Sequence, residues 1–315
     1  MNKIIITISV LLLILGGCIQ MNNGTGGSSE IRIRDFKIWE ETPVQDLALA
    51  VNKLDVKKIE KLAEEQPELI DYQESRYGAT LLFWAVGMEK YEAAKTLLEC
   101  GADPDIICTW EGGTALYRAA GYSFIDNQAK KDAKFVRLLL EYGANPNIGF
   151  VGNDHNNSTE IGTTPLIESI GCGIEKTRAL VKAGADINYQ TPSGITAAIR
   201  ALWLAEGART KVSTEIEVME YAYYLIVEKQ ARVTEPYSII MKNTEPISIP
   251  TYYPVTILRK WLPALYFEGH KKKMEIVDEF LRQGVDYWSA EIPKNILQQI
   301  QKIYPDTWQE YVKKY

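Results

Sequence analysis

The chain has 315 residues, a formal net charge of −6, and 46% hydrophobic against 24% charged residues. That balance is ordinary for a globular chain, and the acidic sign argues against a nucleic-acid surface and for a basic protein partner. Lys3 then precedes an apolar run over residues 4–15, too short to span a bilayer and suited to a secretory signal. The run ends in Leu15-Gly16-Gly17-Cys18, and Asn22 to Glu30 reads NNGTGGSSE, a solvated Gly/Ser tether that cannot pack.

Small residues immediately before a cysteine resemble the lipobox of bacterial lipoproteins. That resemblance implies removal of residues 1–17, lipidation of Cys18 and a tether over 18–35; a secretory signal with an incidental cysteine is the alternative. Ile19 rather than Asp after Cys18 implies outer-membrane sorting facing the periplasm in a Gram-negative cell. Loss of Lys3 takes the net charge from −6 to −7. Cys100, Cys108 and Cys172 remain, and are read either as a short-loop Cys100–Cys108 bridge or as three thiols acting as small hydrophobes.

Beyond residue 36 a phrase recurs. Gly78-Ala-Thr80-Leu-Leu82 returns as Gly112-Gly-Thr114-Ala-Leu116, as Gly162-Thr-Thr164-Pro-Leu166 and, weaker, as Gly194-Ile-Thr196-Ala-Ala198. Thr80 to Thr114 is 34 residues and Thr164 to Thr196 is 32, a period that means stacked supersecondary units. Each phrase opens a helix: the Thr hydroxyl can take up free N–H groups at that end, and Pro165 suits a first turn. A second helix follows with an apolar stripe, such as Ala93, Ala94, Leu97 and Leu98. Gly101, Gly143 and Gly184 fall where a left-handed residue stops it, and Ala-Asp/Asn-Pro/Ile-Asp/Asn then leads into a hairpin.

These phrases resemble ankyrin repeats. The resemblance covers most of residues 40–290 and implies an all-α ankyrin-repeat solenoid of about six helix-turn-helix units with short hairpin loops and several insertions. The units fall near 43–74, 75–108, 109–158, 159–191, 192–233 and 252–286, with 287–315 as a C-terminal cap; the repeat domain as a whole is 36–315. In the last unit, residues 256–267 and 274–281 are expected to be helical. The His usual in the family's Thr-Pro-Leu-His phrase is replaced by Phe83, Tyr117, Ile167 and Ile199. Thr114 to Thr164 is 50 residues, 16 more than one period, and the excess is assigned to 122–134 and 150–160. Residues 203–214 are expected to extend a further interhelical region, and 233–255 to form a Pro-punctuated arm. Insertions in repeat proteins map to loops and often to the binding face.

Catalytic chemistry is not legible. His155 and His270 are the only histidines, no Gly-x-Ser-x-Gly elbow exists, and the glycines are dispersed rather than gathered into a phosphate loop. The expectation is a non-enzymatic chain with no metal, no cofactor and no small-molecule substrate. In ankyrin proteins, partners meet the hairpin tips and the first helices. On this sequence the resemblance therefore implies a partner-binding strip of Arg76, Tyr77, Met88, Trp110, Glu111, Tyr122, Glu160 and Ile161, joined by Tyr237, Tyr252 and Tyr253 on the arm; packing of Trp110 and Tyr77 on one another between adjacent hairpins is the alternative. Bacterial proteins that combine a lipid anchor with ankyrin repeats include immunity proteins that neutralise antibacterial toxins such as phospholipases. The expected function is such a tethered binder of a basic-surfaced toxin; an envelope scaffold with endogenous partners is the alternative.

Overall fold

The structure, a computed structural model, describes residues 31–125, 130–152, 159–207, 212–239 and 251–315. The signal segment, Cys18, the 22–30 stretch and His155 lie outside the described residues. What is described falls into two compact units, 31–186 and 187–315.

In the first unit a 3-10 turn (Phe36–Trp39) leads into four helix pairs: α1 (Gln45–Lys53) with α2 (Val56–Glu65), α3 (Leu81–Gly87) with α4 (Tyr91–Glu99), α5 (Ala115–Ala120) with α6 (Lys134–Glu141), and α7 (Pro165–Glu168) with α8 (Ile174–Lys182). The threonines start the inner helices as their position in the phrase requires. Thr80, Thr114 and Thr164 have extended backbones, and their hydroxyl oxygens accept from Phe83 N at 3.1 Å, Tyr117 N at 3.2 Å and Ile167 N at 3.4 Å. Each such cap is worth about 1 kcal/mol. The α1, α3, α5 and α7 helices pack in one row, and α2, α4, α6 and α8 in a second. Between the rows lie Leu82, Trp84, Ala85, Leu97, Leu116, Val136, Leu139, Leu166 and Leu180, all buried.

Consecutive hairpins are held in register by a ladder of short side chains. Asp71 Oδ1 accepts from Asp103 N at 2.9 Å, Asp105 Oδ1 from Asn145 N at 2.8 Å, and Asn147 Oδ1 from Asp186 N at 2.8 Å. This is why the turn sequence after each helix stop repeats Asp or Asn: the side chain is the acceptor for the next unit's backbone. Asn147 also donates from Nδ2 to Gly184 O at 3.2 Å. Asn147→Ala is therefore expected to cost about 1–2 kcal/mol, read as a lowered denaturation midpoint with an unchanged urea m-value.

The second unit holds α9 (Ala197–Gly207) and α10 (Val212–Ala222), the latter continuing into a π-helical turn (Tyr223–Glu228). A two-residue antiparallel pair follows, β1 (Tyr237–Ser238) with β2 (Thr251–Tyr252), then α11 (Pro254–Leu258), α12 (Glu268–Arg282), α13 (Lys294–Ile303) and α14 (Trp308–Lys314). Thr196 starts α9 as its counterparts do, accepting from Ile199 N at 3.2 Å. The α9 helix packs on α11, and α10 with its π-turn packs on α12. Ile296, Ile300, Tyr311 and Tyr315 form the buried centre of the cap, against Leu262, Leu265 and Trp308.

Three expectations are corrected. Residues 203–214 are mostly helix rather than an extended interhelical segment: the Ala/Leu-rich run carries α9 to Gly207, with Leu202, Trp203 and Ala205 buried. Residues 256–267 are not one helix, because Pro263 lacks an N–H and disfavours the helical backbone at Leu262. The α11 helix stops at Leu258, and α12 begins at Glu268, six residues before the expected Met274. Residues 31–35, assigned to the tether, are packed at least in part, since Ile33 is buried and Ile31 O accepts from the Tyr77 hydroxyl.

Candidate protein-binding surface

The surface is built on the hairpins of the first unit. In the first hairpin the buried Glu74 carboxylate accepts from the backbone N–H groups of Arg76 at 2.9 Å, Tyr77 and Ala79 at 3.4 Å. Gln73 Nε2 donates both to Gly78 O at 2.8 Å and to Ile107 O at 2.9 Å, tying this turn to the next. Trp110 N donates to Tyr77 O at 2.9 Å, and the two rings meet edge to face at 4.9 Å. Val151 N donates in turn to Gly112 O at 2.8 Å, so the third hairpin docks on the second.

These contacts sort the expected strip. Arg76 is exposed and Ile161 is 58% exposed; Met88, Trp110, Glu111, Tyr122 and Glu160 are half-buried. Tyr77 is a correction: it is buried, its ring under Trp110 and its hydroxyl satisfied by Ile31 O. It supports the strip from beneath. Tyr237 is a second correction. It is 3% exposed, packed edge to face on Trp203 at 5.1 Å and stacked on Tyr252 at 5.7 Å. Tyr252 and Tyr253 of the second unit are exposed as expected. Burial pushes the Tyr237 phenol well above its ordinary range.

The 122–134 insertion begins as a packed segment. Phe124 N donates to Gly87 O at 2.8 Å, and its ring lies where a Cβ on Gly87 would fall, 2.2 Å away. Arg118 of α5 lays its guanidinium over that ring at 4.7 Å, pairs through Nη2 with Glu111, and donates from Nη1 to Tyr122 O at 3.3 Å. Thus Glu111 and Tyr122 are brought together, through an arginine absent from the expected strip. Behind them lies a cavity of about 260 Å³ whose walls include Glu89, Arg118, Tyr122, Lys130, Asp132 and Lys176.

Lys176, Arg118 and Phe124 escaped the sequence reading. In α8 the buried positions are Lys176, Thr177 and Leu180, so the helical register was the available signal, and it places a lysine on the apolar stripe. Its ammonium donates to Gly121 O at 3.1 Å and Ala120 O at 3.4 Å, carbonyls at the C-terminal end of α5 that have no partner within the helix. Burial lowers its pKa. Lys90 does the same for α1, donating to Asn52 O at 2.8 Å.

Cys100, Cys108 and Cys172 form no disulfide with one another, and burial pushes the Cys108 thiol up to about 12, a protonated and unreactive state. His270 contacts Lys314 O at 2.9 Å. Among the described residues no group of three His, Cys, Asp or Glu side chains is placed to hold a metal ion.

A family profile described as ankyrin repeats matches residues 47–150, about a third of the chain, as three copies; ankyrin repeats are modules that bind other proteins. The Serratia liquefaciens protein named PhlB is 34% identical over 118 residues, 37% of this chain. That match spans 44% of the length of PhlB. Among solved structures, EF0377, described as an ankyrin repeat protein, superposes with a TM-score of 0.49 at 18% identity, covering 76% of this chain and 98% of its own.

Proposed function

We propose that this chain is a non-enzymatic immunity protein, lipid-anchored through Cys18 to the bacterial envelope, that neutralises an antibacterial toxin such as a phospholipase by binding it on the hairpin strip. The observation that carries the reading is the surface formed by Arg76, Trp110, Glu111 and Ile161 along three hairpins that their own backbone bonds hold in register. A rigid row of Arg, Trp and apolar side chains is the composition that concentrates binding energy in a small area. The residues beneath it, Glu74 and Tyr77, fix its shape before the partner arrives, which lowers the ordering cost of association. The residues before 31, including Cys18, are where the anchor would be made.

The test is genetic and biochemical. Deleting the gene from a strain with an intact neighbouring toxin gene is expected to be lethal or growth-arresting, and the protein is expected to co-purify with that toxin. Unaltered viability together with no complex overturns the immunity reading. Trp110→Ala combined with Ile161→Asp is expected to weaken the complex by about 100-fold or more, with far-UV circular dichroism unchanged.

A further inference from the structure

We propose that the cavity walled by Glu89, Arg118, Tyr122 and Lys176 is a carboxylate-binding site for a side group like that of aspartate or glutamate. The proposal deepens the protein-binding reading, since the cavity opens beside Tyr122 of the strip, and its ligand is either a partner's acidic side chain or a small free acid.

The charge inventory of the walls points to an anion. Glu89 lies 3.6 Å from Lys130, Asp132 lies 3.8 Å from Lys134, and Glu111 pairs with Arg118. Each of these three cations has its acid. Lys176, only 3% exposed, has none within ion-pair reach among the described residues. Its ammonium carries three donors, and two are spent on Gly121 O and Ala120 O. Arg118 Nε is also buried with no hydrogen-bond partner among the described residues. Two donors of positive charge, taken out of water on the walls of one cavity, carry a desolvation cost that a bound anion offsets.

Size and the surrounding acids narrow the ligand further. The cavity, about 260 Å³, is small beside the roughly 300–1,000 Å³ of most ligand pockets, a size that suits a short carboxylate better than a nucleotide or a sugar chain. Glu89, whose buried Oε1 lies 3.6 Å from Lys130 Nζ without a hydrogen bond, sets a negative charge on the same wall. A singly charged carboxylate tolerates that neighbour better than a phosphate dianion does.

Titrating the full chain with butyrate, with butyramide as the uncharged probe, tests the proposal by following the amide resonances of Gly121 and Tyr122. Butyrate is expected to give a saturable shift and butyramide none. Lys176→Met is expected to weaken butyrate by about tenfold or more. Ala119→Leu, which fills the cavity and removes no charge, is expected to weaken it as well. An equal response to both probes, or an affinity that neither folded variant changes, overturns the proposal. This titration needs no protein partner, so its failure is separable from failure of the immunity reading. Once a partner is in hand, displacement of that partner by butyrate assigns the carboxylate to the partner, and a ternary complex assigns it to a free acid.

Discussion

Gly112→Ala is expected to destabilise the first unit by about 3 kcal/mol or more, and Gly143→Ala by only about 1 kcal/mol. Both glycines have a left-handed backbone, at φ 72° and 87°, so both substitutions pay for conformation. They differ in their surroundings. A Cβ on Gly112 would lie 2.7 Å from Gly152 O and 2.7 Å from the Phe150 ring, whereas one on Gly143 meets nothing within 4 Å. Gly152 O is backbone, in the hairpin that docks on residue 112 through Val151 N, so it moves only if the docking loosens. Against a total domain stability of about 5–15 kcal/mol, the first change is severe. Urea denaturation of both variants measures it, and equal costs would show that the hairpins are not tightly stacked.

The second large effect has the opposite sign. Lys273 in α12 is completely buried, with its ammonium 2.9 Å from Trp261 O and 4.0 Å from the centre of the Tyr315 ring. The neighbouring charge is Arg259, another cation, packed at 4.3 Å on the Tyr287 ring and donating to Ala290 O at 3.0 Å. Burial first, and Arg259 second, depress the Lys273 pKa well below its ordinary 10.5. In the window between the depressed folded pKa and the unfolded value, the unfolded chain binds the proton and the folded chain does not. Stability contributed by this group therefore rises with pH across that window, and the penalty is greatest at its acid end. Lys273→Met keeps the length of the side chain and removes the charge. It is expected to stabilise the second unit by about 1–3 kcal/mol near neutrality, with the gain shrinking as pH approaches 9.5. Urea denaturation of both proteins between pH 6 and 9.5 decides it, and a variant less stable at every pH would show that the Trp261 O bond outweighs the buried charge.

Much of the fold was legible because the repeat is a local code. Thr80, Thr114, Thr164 and Thr196 each start a helix by one side-chain bond to a backbone N–H three residues on, so four positions carry the signal. Gly101, Gly143, Gly184 and Gly284 mark left-handed helix stops in the same way. Reading failed where one residue overrode its neighbours. Pro263 split an apolar run that otherwise reads as helix, and the Ala/Leu-rich 197–206 stretch lengthened a helix where a loop was expected.

The candidate surface was less legible, for a different reason. Tyr77 and Trp110 look alike in sequence, each an aromatic residue in a hairpin, yet only the pairing of adjacent hairpins decides that Tyr77 is the one beneath. Tyr237 was misread likewise, because its burial against Trp203 depends on contacts 34 residues apart in the chain. Arg118 and Lys176 were missed because a charged residue on an inner stripe reads as a solvated one until helix-end carbonyls are seen to hold it.

The central claim is that partners are bound on the hairpin strip of the first unit. Site-specific photo-crosslinking in the native host tests it most directly, with a photoreactive residue placed at Arg76, Trp110 or Ile161 and, as the control, at Lys61 on the outer helix α2. The account predicts one adduct of common mass from the three strip positions and none from Lys61. Adducts from Lys61 alone, or equally from all four positions, would contradict it.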